Sequence, residues 1–222
     1  MFIIILLNLF NTTTSTTTTT TIMRINVILA HCHEYGIGYS GKMAWRIRSD
    51  LQRFAKLTTG RGDYKNAVVM GRKTWQSLPP LNRPLALRDN LILSRSPDDA
   101  NSQTHPHPQS HPQSHPHVAW FSDIDAVLSH CASKQYDEVW IIGGEQLYSA
   151  FLGANASYRS IVHTLHITRI DADFMCDTFC SSDAVSECAL QEYFVPISRR
   201  TELEKCGNFN VTFCEYVNKL YM

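Results

Sequence analysis

The chain has no excess of either charge: 20 lysines and arginines stand against 20 aspartates and glutamates in 222 residues. A balanced chain builds no broad positive field, so neither a nucleic-acid partner nor an anionic membrane surface is expected, and any anion site must be local. Long hydrophobic runs are also missing. The stretch Phe2 to Phe10 falls far short of the ~20 apolar residues that span a bilayer, and no lysine or arginine precedes it as in a signal peptide. The seven cysteines form no Cys-x-x-Cys pair and are odd in number, which reads as scattered reduced thiols of an intracellular protein rather than a disulfide framework. Cys176 and Cys180 could share a helical face, but no His or Cys partner stands at ligand spacing, so no metal is expected.

Catalytic and nucleotide signatures are just as sparse. The chain has no Gly-x-Ser-x-Gly elbow for acyl transfer. Nor does it have a phosphate loop completed by Gly-Lys-Ser or Gly-Lys-Thr, or a Gly-x-Gly-x-x-Gly running straight from a strand into a helix. The length suits one well-buried domain. Residues 1–22 are set apart from it. The threonine tract Thr12 to Thr21, broken only by Ser15, offers no periodic apolar face to bury, and no arginine typical of a transit peptide occurs before Arg24. The working domain is expected to begin at Met23.

What is present alternates between strand and helix signals. Arg24 to His31 (RINVILAH) reads as a buried strand leading to the Gly36-Ile37-Gly38 loop. Ser49 and Gln52 have capping-box spacing, and Leu51, Phe54, Ala55 and Thr58 share a helical face, which predicts a helix from near Asp50 to before Gly60. Ala67 to Met70 and Leu91 to Leu93 are continuous apolar runs, as in strands covered on both faces. Val118 to Phe121 predicts another strand, followed by a helix capped by Ser122 and carrying Ile124, Val127, Leu128 and Cys131. Val139 to Ile142, the Gly143-Gly144 turn and a helix through Leu147, Tyr148 and Phe151 form a strand, turn and helix suited to an anion. Thr164 to Ile170 and Asn208 to Val217 supply a final antiparallel pair. The order predicts an α/β sandwich. Between these elements, Asp98 to His117 is a loose His, Pro, Gln and Ser repeat in which the prolines preclude helix or inner strand, and it reads as a surface insertion.

One cluster of cations stands out. Met70-Gly71-Arg72-Lys73-Thr74-Trp75 places Arg72 and Lys73 directly after a buried strand at a predicted helix start, where they could hold phosphates. Together with Ala30, Gly36-Ile37-Gly38, Trp45 followed by Asp50, Arg88, Ser94-Arg95, Ile142-Gly143-Gly144 and Thr168-Arg169-Ile170, this order and spacing resembles the dihydrofolate reductase family over nearly all of 24–217. Ala44, Leu87 and Cys180 depart from that pattern, standing where proline, glycine and proline are common.

The resemblance implies a three-layer sandwich with a central mixed eight-stranded sheet, NADPH as cofactor, and dihydrofolate as substrate. It assigns Asp50, Thr168 and Trp45 to the reacting end, with Asp50 binding the pterin edge and favouring protonation of N5. A carboxylate in an apolar pocket suits this independently, because burial raises its pKa while a helix start opposes the rise. Leu29, Met43, Phe54, Leu78, Leu85, Arg88 and Ile142 complete the implied substrate set, with Arg88 on the α-carboxylate. The implied cofactor set is Ala30, Ile37, Gly38, Gly71, Arg72, Lys73, Thr74, Ser94, Arg95 and the turn Gly143, Gly144, Glu145, Gln146, Leu147 and Tyr148. Gly143-Gly144 matches a family turn with a cis peptide. A cytoplasmic monomer acting on a small molecule is expected. The competing readings are a pyrimidine reductase of riboflavin synthesis, which should lack the Asp50, Phe54 and Arg88 set, and a non-catalytic folate or nucleotide binder on the same scaffold.

Overall fold

The computed structural model describes residues 23–60, 65–95, 117–205 and 207–222. The sequence readings for 1–22 and for most of the 98–117 insertion therefore lie outside the described residues. The described residues form ten strands and six α-helices: β1 (Arg24–His31), β2 (Gly36–Gly38), α1 (Arg48–Thr58), β3 (Asn66–Gly71), α2 (Arg72–Ser77), β4 (Asp89–Leu93), β5 (Val118–Phe121), α3 (Ile124–Lys134), β6 (Glu138–Ile141), α4 (Glu145–Leu152), β7 (Val162–Ile170), β8 (Thr178–Phe179), α5 (Ser182–Val185), α6 (Glu187–Tyr193), β9 (Phe194–Glu204) and β10 (Phe209–Asn218). Eight strands make one sheet in the order β5-β4-β3-β6-β1-β7-β10-β9, and β2 pairs with β8 in a small second sheet. The large sheet is mixed: β10 runs antiparallel to both β7 and β9, while the other pairings are parallel.

Strand side chains alternate between faces, and this alternation sorts the core into layers. Val27, Leu29, Ala67, Val69, Leu91, Val139 and Ile141 pack on one face with Val127 and Cys131 of α3 and Leu147, Phe151 and Leu152 of α4. The intervening Ile28, Val68, Met70, Ile92 and Trp140 pack on the other with Trp75 of α2 and Phe54 and Leu57 of α1. Because both faces are covered, the central strands have no polar side and read as unbroken apolar runs. The three-layer expectation holds.

Local details differ from the sequence reading where packing overrides the local signal. Helix α1 begins at Arg48, with Ile47 at its N-cap, and Ser49 lies inside the first turn rather than capping it. Ile47 is 2% exposed in a cluster with Trp45, so its burial sets the start. The inward face of α1 carries Asp50, Phe54, Leu57 and Thr58, whereas Leu51 is 41% exposed and Ala55 is also exposed. On α3 the cap is Asp123, whose side chain accepts from the Ala126 amide, while the Ser122 hydroxyl donates to Asp123. Cys176 and Cys180 flank β8 in extended chain and share no helical face.

The run Gly36 to Lys42 does carry the glycine spacing of the two nucleotide loops. It forms β2 and a turn instead, and the next helix starts only at Arg48, so it cradles nothing at a helix start.

Leu87, which stands where glycine is common, adopts φ 60. A Cβ crowds the backbone there, at a cost of roughly 1–2 kcal/mol. Leu87 is also 67% exposed, so its side chain returns little packing. Leu87→Gly is therefore expected to stabilise the fold by about 1 kcal/mol after the extra chain entropy of glycine is counted. A lower melting temperature for that variant would show that Leu87 is held by packing.

Candidate active site

Parallel pairing brings the carboxyl ends of β4, β3, β6, β1 and β7 to one edge of the sheet, where an open α/β sheet takes its ligands. Ala30 on β1 is in register with Thr168 on β7. Asp50, in the first turn of α1, meets them there. It is 9% exposed, and the Thr168 hydroxyl, itself 1% exposed, donates to its carboxylate. Burial raises the Asp50 pKa, while the Thr168 hydrogen bond and the Arg53 cation hold it down. Trp45, close by in sequence, is buried with its ring tilted against Phe174 at 5.6 Å between centroids, and its indole Nε1 has no hydrogen-bond partner among the described residues.

Beside the carboxylate lies an apolar wall. Phe54, Leu78, Leu85 and Ile142 pack against the same buried cluster. Arg88 closes this wall at its outer end, with its guanidinium 5.7 Å from the Phe54 ring centroid. Its Nε donates to the Ala86 carbonyl at 2.8 Å and Nη1 donates to the Thr58 hydroxyl, so the fork is oriented by protein before any ligand arrives. Met43 is exposed, and Leu29 is buried in the opposite core cluster.

The other side of the cleft is built for an anion. The Gly71 amide donates to the Gly143 carbonyl at 2.8 Å, which ties the end of β3 to the turn after β6. The Gly143-Gly144 peptide is cis, as the sequence pattern implied. A Cβ on Gly144 would stand 3.2 Å from the Thr74 hydroxyl, and one on Gly143 would stand 2.9 Å from the Tyr148 hydroxyl. Only glycines leave this cradle open. Helix α4 starts at the cradle with no side-chain cap on its first amides. Arg72, Lys73, Ser94 and Arg95 stand at the adjoining ends of β3 and β4. The donor set fits a phosphate-bearing dinucleotide.

Not every residue of the implied cofactor set faces outward by its side chain. Leu147 and Tyr148 are core residues, the Tyr148 hydroxyl donates to the Ile28 carbonyl at 3.0 Å, and Glu145 accepts from Ser149. Gln146 is exposed, while Ile37 and Gly38 lie on β2.

Arg53 and His166 are the site-supporting residues that motif reading missed. Arg53 reaches under the sheet, over the Phe213 ring at 5.4 Å, and meets His166 Nδ1 at 3.0 Å. Burial and the neighbouring Arg53 charge depress the His166 pKa to about 3, so its ring is neutral. Arginine only donates, so Nδ1 accepts and Nε2 carries the proton toward Thr164 at 3.1 Å; the Thr164 hydroxyl then donates to Asn26 at 2.8 Å. The sequence signal was only a histidine among the polar residues of Val162–Ile170 (VHTLHITRI).

A buried carboxylate facing an apolar slot, with a cation-lined glycine cradle across the same sheet edge, defines an α/β enzyme that joins a small substrate to a phosphorylated cofactor. Comparison with known proteins narrows the class. The dihydrofolate reductase family model matches residues 24–218, and the chain belongs to that family. It is 33% identical over 198 residues to the dihydrofolate reductase of Schistosoma mansoni, covering 87% of this chain and 96% of that one. Over 159 residues it is 37% identical to the Gallus gallus dihydrofolate reductase, covering 70% of this chain and 76% of the relative. The match to an Arabidopsis thaliana bifunctional dihydrofolate reductase-thymidylate synthase is 37% over 161 residues; it covers 69% of this chain but only 25% of the longer relative. Among the described residues no helix is long and apolar enough to cross a membrane.

The raised Asp50 pKa has a thermodynamic consequence. The folded chain holds this proton more tightly than the unfolded chain, whose aspartate titrates near 3.8. The contribution of Asp50 to stability is therefore fully present below about pH 4 and is lost as pH rises through the raised folded value. Asp50→Asn removes the buried charge, so it should melt above the parent at neutral pH, with the difference shrinking toward acid. A variant melting below the parent at neutral pH would contradict the desolvation account.

Proposed function

We propose that this site reduces 7,8-dihydrofolate to 5,6,7,8-tetrahydrofolate with NADPH, and that Asp50 manages the proton. The observation that carries the proposal is one buried carboxylate, anchored by Thr168, itself in register with Ala30, at the mouth of an apolar slot. NADPH supplies hydride to C6 when bound. Asp50 binds the 2-amino group and N3 of the pterin, and its negative charge favours the proton at N5. Thr168 orients Asp50, and Trp45 lies beside the reacting end. Phe54, Leu78, Leu85 and Ile142 line the slot, with Met43 at its margin and Leu29, whose side chain faces the opposite core, contributing main chain alone, and Arg88 takes the α-carboxylate as a two-pronged donor.

The cofactor side follows the family pattern, and the cis Gly143-Gly144 turn with its adjoining cations supports it. The main chain of Ala30, Ile37 and Gly38 holds the nicotinamide amide. Arg72, Lys73, Thr74, Ser94 and Arg95 take the phosphates, with Arg72 and Arg95 on the 2′-phosphate. Gly71 and the turn from Gly143 through Tyr148 supply backbone amides, the inward-facing Leu147 and Tyr148 contributing main chain alone. Within this proposal the working domain is 23–222, residues 1–22 stand outside the fold, and about 98–117 is a surface insertion. The protein acts as a cytoplasmic monomer on a small molecule, without nucleic acid or membrane. The presence of Asp50, Phe54 and Arg88 together disfavours the pyrimidine reductase reading.

Purified protein should oxidise NADPH when given dihydrofolate; failure to do so would leave only a binding role. Asp50→Asn should lower turnover at neutral pH by on the order of a hundredfold, with partial recovery in acid where solvent protonates the substrate. An unchanged rate would remove Asp50 from the mechanism. Arg72→Ala should raise KM for NADPH more than for NADH, because the 2′-phosphate is what separates the two. Equal effects would move Arg72 away from that phosphate.

A further inference from the structure

We propose that Cys32 and Cys176 form a redox-modifiable pair whose disulfide locks the Gly36–Gly38 strand against the segment leading to β8 and slows turnover. The consequence for turnover rests on the functional reading above, whereas the bond itself does not. The two sulfurs lie 3.6 Å apart although 144 residues separate them in the chain. Cys32 follows β1, Cys176 precedes β8, and Gly36 sits between them. A Cβ at Gly36 would come within 2.6 Å of the Cys176 sulfur and 2.9 Å of the Cys32 sulfur, so both thiols press on one backbone atom.

The surrounding hydrogen bonds show what the bond would tie together. The Cys32 amide donates to the Gly36 carbonyl at 3.0 Å, and the Asp177 amide donates to the Gly38 carbonyl at 3.0 Å. The Gly38 amide donates to the Cys176 sulfur, and the Ser40 amide donates to the Asp177 carboxylate at 2.7 Å. The strand that carries Ile37 and Gly38 is thus held to 176–178 by hydrogen bonds alone, which can open and close. A covalent link across Gly36 would remove that freedom, and loop motions of this kind commonly set turnover.

The chemistry balances with a small-molecule disulfide such as oxidised glutathione. Cys176 is half-buried and meets the oxidant first, while Cys32 is buried behind it. The Cys176 thiolate attacks one glutathione sulfur and expels the other as a thiolate. The Cys32 thiolate then attacks the Cys176 sulfur of the mixed disulfide and expels the second glutathione. The protein loses two protons and two electrons, and the oxidant becomes two thiols. Burial and the adjoining Cys32 and Asp177 push the Cys176 thiol up to about 11, against a smaller opposing pull from the Gly38 amide. Exchange is consequently slow at neutral pH and faster in base.

The test uses the full chain with Cys188, which is exposed, and Cys206 both changed to serine, incubated with oxidised glutathione at mildly alkaline pH. Peptide mass spectrometry should find Cys32 joined to Cys176, with loss of two hydrogens. Amide exchange across 36–42 should slow, and turnover should fall several-fold and return with dithiothreitol. Cys176→Ser and, separately, Cys32→Ser in the same background should keep their activity and their exchange rates through the treatment. No Cys32–Cys176 peptide, or a crosslink with unchanged amide exchange, would overturn the proposal. A crosslinked chain with unchanged turnover would do so too. Reduced protein that fails to turn over dihydrofolate would instead defeat the functional reading, with the crosslink and exchange measurements still deciding this one.

Discussion

Asp50 is a charged group kept almost out of water, and much of the surrounding structure can be understood as what makes that tolerable. Its carboxylate takes a hydrogen bond from Thr168, which is available only because β1 and β7 pair in the register that sets Thr168 beside Ala30. Its charge is partly offset by Arg53, one turn along the same helix. Arg53 in turn needs an acceptor under the sheet, and finds it in a histidine that burial keeps neutral. Burial therefore raises the pKa of this carboxylate while Thr168 and Arg53 restrain the rise, which suits the proton-handling role proposed for it.

The cofactor side obeys a steric constraint rather than an electrostatic one. Backbone from β3 and β6 has to meet where Gly71 donates to Gly143, and the turn has to stay thin enough for a phosphate to approach. Thr74 and Tyr148 crowd the two glycines so closely that a methyl group would enter their contact distance. Arginine and lysine stand on the neighbouring strand ends, where the proposed reading has them supply the charge. A neutral chain can therefore hold a highly charged cofactor with no broad positive surface.

Legibility followed burial. Strands covered on both faces were plain in Ala67 to Met70, Leu91 to Leu93 and Val139 to Ile142, because nothing but apolar side chains can occupy them. Helix α1 was legible to within two residues, but not its inward face: spacing pointed to Leu51, Phe54, Ala55 and Thr58, whereas Leu51 and Ala55 are exposed and Asp50 and Leu57 lie in the buried stripe. Strand β9 went unseen. It is a mostly exposed edge strand carrying Pro196 where its register with β10 shifts, so only its partner marks it as a strand. Helices α5 and α6 and the β2–β8 pair are too short to leave a periodic pattern.

By itself the sequence determined the two-sided sheet, the order of most of its strands and the glycine turn after β6, and it put forward Asp50, Thr168, Arg88 and the phosphate-end cations as the candidate site. Those features are encoded in residue type and short spacing, which survive without knowledge of partners. Tertiary structure alone decided which face of α1 is inward, that Arg53 meets His166 across 113 residues, and that Cys32 meets Cys176 across 144. Such contacts arise from strand register and the crossing of elements distant in the chain, and no local pattern records them.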